Sequence, residues 1–151
     1  MAARIFATIG VPIVFRSGGK RKPGEEAMVS IEMRLHGQVP PDFHPRAVAW
    51  STPYADSGTR IHVLCDRVLN LHVDRGTGVL LGHVMAHEIG HVLEGADRHS
   101  PEGVMKARWE KPDLQKMLTG RLPFDPTDAA LIHAALKLPT ARLPLNSPNP
   151  R

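Results

Sequence analysis

Only one cysteine, Cys65, occurs in the 151 residues, so no internal disulfide can form and stability has to come from packing and from whatever the chain binds. No apolar run approaches the roughly 18 to 20 residues that a membrane span requires, so no membrane partner is expected. The opening is not expected to act as a leader: "MAARIFATIGVPIVFR" sets one Arg before an apolar stretch, but Gly10 and Pro12 interrupt it and no small-x-small cleavage site follows. Neither charge dominates. Nineteen Lys and Arg against fifteen Asp and Glu give +4, and the densest basic cluster, Lys20-Arg21-Lys22, reads as a solvated loop rather than a nucleic-acid patch. There is no internal repeat. A chain of this length is one domain, expected over residues 1–138.

What is present is a run of short elements followed by two helices. In "AARIFATIG", Ala2, Ile5, Phe6 and Ile9 share a helical face, Gly10 closes the helix in a left-handed cap, and Pro12 stops it. "VPIVF" (11–15) reads as a short buried strand and 16–26 as a turn. Strands are expected at 27–35, 47–52 and 60–66, with Cys65 a small core residue on the last. From Thr77, a plausible N-cap, a helix runs to Gly95, which is placed to end it. "DPTDAALIHAALKL" (125–138) predicts a second helix, with Asp125 as cap and Pro126 in its first turn. The tail 139–151 carries four prolines and is expected to be extended or disordered.

The chemistry concentrates in "HEIGHVLEGADRHSPEGVM" (87–105). On a helix, His87 and His91 lie one turn apart and point the same way, about 6 Å apart along the axis, so that two imidazoles can share one tetrahedral Zn²⁺. Glu88 is turned about 100° from His87, beside the metal rather than on it. There it can take a proton from a zinc-bound water and hand it to a leaving amine, the H-E-x-x-H mechanism. Nine histidines make some i, i+4 pair unremarkable, and His83 and His87 form another. A Glu directly after the first His, inside an otherwise apolar helix, is harder to explain by chance.

The segment resembles the metzincin metallopeptidases, whose helix carries H-E-x-x-H-x-x-G-x-x-H, or a terminal Asp in some branches, followed by a methionine turn. Here Gly95 stands one position late and His99 two positions late, and Met105 follows at a distance similar to that of the family's Met-turn. The resemblance is tight over about 77–106. Asp97 occupies the family's spacing from His91, but Glu94 then stands where the turn glycine belongs. His99 is the favoured third ligand, with Asp97 then supporting a ligand imidazole; Asp97 is the alternative third ligand. Glu94, Glu102 and Glu110 are remoter candidates. Trp109 and Lys106 fall where the family lines its substrate pocket; Tyr54 could reach the cleft but reads as a surface tyrosine.

The resemblance implies an α+β, zincin-like domain: a twisted, mostly parallel or mixed sheet of about four strands on an active-site helix, a C-terminal helix, and the family's first strand missing. It also implies a peptide or protein substrate bound as an extended strand against an edge supplied by 47–66. The expected activity is that of a zinc endopeptidase with Glu88 as base. The alternatives are a zinc-dependent endoribonuclease, which characteristically lacks both the Glu and the Met-turn, and a non-catalytic metal-stabilised binding module. Localisation follows the true N-terminus: secreted if it lies upstream, cytoplasmic otherwise. His36, His44, His62, His72 and His133 have no partner pattern and read as structural or solvated.

Overall fold

The longest helix, α3 (Thr77–Glu94), is the element on which the others are laid. The computed structural model describes residues 1–18, 29–37, 48–55, 58–70 and 76–137, with side chains given outside 52–58. The expectations for 19–28 and for the tail 139–151, along with His44, His72 and the Tyr54 side chain, lie outside the described residues. Helix α3 is apolar on most of its circumference. Leu80, Val84, Ile89, Val92 and Leu93 are all buried, as expected of a helix enclosed on several sides. It packs against α1 (Ala2–Ala7), α2 (Cys65–Leu69), α4 (Lys111–Thr119), α5 (Pro126–Lys137) and one face of a sheet.

That sheet has three strands, β1 (Glu32–His36), β2 (Ala49–Ala55) and β3 (Gly58–Leu64), in the order β1-β3-β2. Strand β3 is central, parallel to β1 and antiparallel to β2, so the sheet is mixed and the molecule is α+β. Alternation decides the faces. Ile61 and Val63 are fully buried toward the core. On the opposite face, Glu32 accepts from Arg34 Nε at 2.9 Å and from Arg60 Nε at 2.8 Å. His36 and His62 share a 2.8 Å contact there beneath the Trp50 ring.

Several expectations need correction. No strand forms at 11–15: Val11 is buried, but Val14 and Phe15 are exposed and the segment joins no sheet. Pro12 offers no N–H to a ladder, which favours a non-strand path. The sheet therefore has three strands among the described residues rather than about four. The 60–66 strand ends at Leu64, and Cys65 opens α2, a single turn that buries Val68. Helix α3 is capped by Gly76, with Thr77 its first residue. Helix α4 was not foreseen. Its signal is a reciprocal cap between Glu110 and Asp113 with a proline at its start, but it buries only Met117, too little apolar surface to announce a helix.

Other expectations hold. Gly95 ends α3 in the left-handed region, φ 64°, and Gly10 has φ 71°. At α5, Asp125 Oδ1 accepts from Thr127 N while Asp128 Oδ2 accepts from Asp125 N, a reciprocal cap. The core joins both ends of the chain's order, with Phe6 and Phe124 rings 4.8 Å apart. Burying a side chain of this kind contributes about 1.5–3 kcal/mol. His133 bonds the Ile9 carbonyl, tying α5 to the segment after α1.

Candidate metal centre

Helix α3 presents His87 and His91 from one face, and backbone carbonyls decide their tautomers. His87 Nδ1 donates to Val104 O at 2.8 Å, and His91 Nδ1 donates to Ala96 O at 3.2 Å. A neutral imidazole with its proton on Nδ1 keeps a lone pair on Nε2. The two Nε2 atoms are 2.9 Å apart. Facing lone pairs cannot bond each other, so this arrangement calls for a cation between them. A proton is a poor candidate, because burial, and then the neighbouring His91, push His87 down to about 4. Burial likewise lowers His91.

His99 completes the group. Its ring centroid lies 5.3 Å from that of His87 and 4.9 Å from that of His91. One donor atom from each of the three histidines lies within 4.8 Å of the others, and they form the one group among the described residues that could hold a metal ion. Three imidazoles suit zinc and several other transition metals. Bonds of about 2.0–2.1 Å in a tetrahedral site separate ligand atoms by about 3.3 Å, so a small rotation of the rings would admit the ion.

The carboxylates of the segment do not join this group. Asp97 is exposed, and its charge acts on two neighbours, adding to the rise of Glu88 and opposing part of the lowering of His91. Glu88 is 8% exposed, and burial first, then Asp97, pushes it up to about 7. Glu110 caps α4 and Glu102 is exposed. Glu94 is bound to Arg98 at 3.1 Å.

Below the histidines the chain turns back on itself. Met105 is fully buried, and its sulfur lies where a Cβ on Gly90 would be only 2.4 Å away. The glycine inside "HEIGH" thus makes room for the methionine. Ser100 N donates to Met105 O at 2.9 Å and Val104 N to Pro123 O at 2.8 Å, which holds the Val104 carbonyl in reach of His87. Gly103 allows this turn: its φ is 80°, and an added Cβ would sit 2.5 Å from the Pro123 carbonyl oxygen. Gly103→Ala is therefore expected to cost at least about 2 kcal/mol from backbone strain and overpacking together. Urea denaturation would measure this, and a variant within about 0.5 kcal/mol of the parent, the range of an ordinary surface change, would contradict it.

Beyond His99 the loop is fastened to α5. Arg98 Nη1 and the Ser100 hydroxyl both donate to Asp128 Oδ1, Arg98 Nη2 donates to Ser100 Oγ at 3.0 Å, and Asp128 is fully buried. The same guanidinium bonds Glu94, whose side chain is also inaccessible and whose Oε1 has no hydrogen-bond partner among the described residues. One cation thus faces two buried carboxyls. Burial outweighs Arg98's pull, Asp128 adds to it, and Glu94 is pushed up to about 7.

A folded value above the unfolded 4.5 means that the native state holds this proton more tightly. The associated stability is present below pH 4.5 and lost as pH rises through about 7. Glu94→Gln cannot titrate, so in metal-free protein its stability relative to the parent should improve over that window by up to about 3 kcal/mol. Taking the difference between variant and parent removes the parallel titration of the histidines. A difference independent of pH from 4.5 to 8 would show that Glu94 is not held protonated.

Trp109, expected in a substrate pocket, stands edge-on to His87 with centroids 5.7 Å apart. Its indole Nε1 is buried without a partner among the described residues. The Lys106 ammonium is occupied by Asp113 at 2.8 Å and Glu110 at 3.5 Å. His83 is a structural tie, with Nδ1 on Val79 O and Nε2 accepting from Leu122 N at 3.2 Å. Sequence reasoning missed Gly90, Arg98, Ser100 and Asp128. Only the "HEIGH" glycine and the two polar residues flanking His99 could have hinted at them. No known protein family, curated protein or solved structure matches this chain.

Proposed function

We propose that the chain is a zinc-dependent endopeptidase, with the ion held by His87, His91 and His99. The observation that carries this reading is the pair of facing Nε2 lone pairs with a third imidazole in reach and a buried carboxyl on the adjacent residue. Zinc at such a centre supplies Lewis acidity, which acidifies water and polarises a carbonyl. The protein's own groups do the rest. Glu88, poised near neutrality, accepts a proton from the attacking water and passes it to the leaving amine. The carbonyls of Val104 and Ala96 keep the two helix imidazoles oriented and raise their basicity. Trp109 stands edge-on to His87, and Met105 is fully buried next to Val104, whose carbonyl holds that ring.

Among the described residues of 47–66, β2 is the edge strand, since β3 is central. It is the edge to which an extended peptide would add. A peptide-library digest by zinc-loaded protein, with and without chelator, tests the reading. Chelator-sensitive cleavage is expected. Cleavage of RNA instead would indicate the endoribonuclease, and no cleavage of either would indicate a binding module.

A further inference from the structure

Two of the three histidines are aimed by hydrogen bonds from their own rings, and the third is not. Among the described residues no hydrogen bond holds the His99 imidazole, and its residue is exposed. What is held is the chain on either side of it. Arg98 and Ser100 both end on the same oxygen of Asp128, and Arg98 also reaches Ser100 and Glu94. Asp128 is itself anchored, with its other oxygen accepting from Asp125 N at 3.1 Å in the first turn of α5. A buried carboxylate is tolerated when its lone pairs are taken up by donors, and here the donors come from the residues bracketing His99. The bracket ties the chain on both sides of His99 to the first turn of α5 and, through Glu94, to the end of α3, and so fixes where the His99 backbone lies.

We propose that Asp128, acting through Arg98 and Ser100, is the positioning residue that makes His99 a metal ligand. This rests on the three-histidine metal reading. The same clamp offers a reason for the long spacing between His91 and His99: two extra residues are accommodated because the loop is anchored to α5 rather than returning by the shortest path.

The test is metal binding by the full chain, using Zn²⁺ in competition with a chromophoric chelator, and Co²⁺ for its visible absorption. Asp128→Asn keeps the shape but removes the charge and one acceptor. It should weaken Zn²⁺ binding about 10–100-fold, the usual cost of losing a supporting partner, and reduce the tetrahedral Co²⁺ band. In a His99→Ala background the same change should have no further effect on affinity. Ser100→Ala, which leaves the Arg98–Asp128 pair intact, should give a smaller loss with the same non-additivity, and serves if Asp128→Asn does not fold. Wild-type affinity and spectrum in both variants would overturn the proposal, as would an equal loss with and without His99. If His99→Ala itself binds zinc as the parent does, or the parent binds none, the three-histidine reading falls and the proposal with it.

Discussion

Glu88→Gln is expected to keep its metal and lose its hydrolysis. The side chain belongs to α3 and is nearly inaccessible, adjacent to His87 but outside the group that could hold an ion. Gln has the same shape and no proton to exchange, so the three imidazoles should be undisturbed while proton transfer stops. General acid–base catalysis is worth about 10²–10⁴-fold, and peptide turnover should fall by that much or more. Elemental analysis of the variant should still find one zinc per chain. The fold should not suffer, since the change removes a buried group that resists ionisation. Turnover equal to the parent's would exclude Glu88 as the base. Loss of metal together with turnover would instead make Glu88 part of the ligand set.

The second large effect separates His99 from Asp97. His99→Ala removes one of the three proposed ligands and should weaken zinc binding beyond the ~10–100-fold that loss of a supporting partner costs. Asp97→Ala should leave metal binding within that smaller range. Its expected signature lies elsewhere. Removing its charge relieves one of the two causes that raise Glu88, so the acidic limb of the pH–rate profile should move to lower pH. Zinc titration of both variants is sufficient. A site emptied by Asp97→Ala alone, with His99→Ala unaffected, would reverse the assignment.

The readable part of this protein was the part governed by local periodicity. The 3.6-residue repeat that places Leu80, Val84 and Ile89 on apolar faces also puts His87 and His91 together, so the helix and its two aligned histidines could be seen without any fold. Gly95 and the Asp125–Pro126 start were legible for the same reason, because helix ends leave unpaired backbone groups that particular residues satisfy. The 11–15 segment misled because a short apolar run is equally consistent with a strand and with a packed coil. What separates them is a hydrogen-bonding neighbour, which no local pattern contains.

The third histidine shows where local reasoning ends. Spacing along the chain left His99 and Asp97 as rivals two residues apart, and a flexible loop could have returned either. Three-dimensional packing brings His99 to the pair, through contacts that span large sequence distances: Ser100 to Asp128, Val104 to Pro123, and Met105 against Gly90. The sequence by itself determined the two-histidine helix and the acid beside it, because both follow from one turn of backbone geometry. The tertiary structure alone decided which residue joins them. That outcome depends on a buried carboxylate twenty-nine positions away needing donors, and the residues on either side of His99 supplying them.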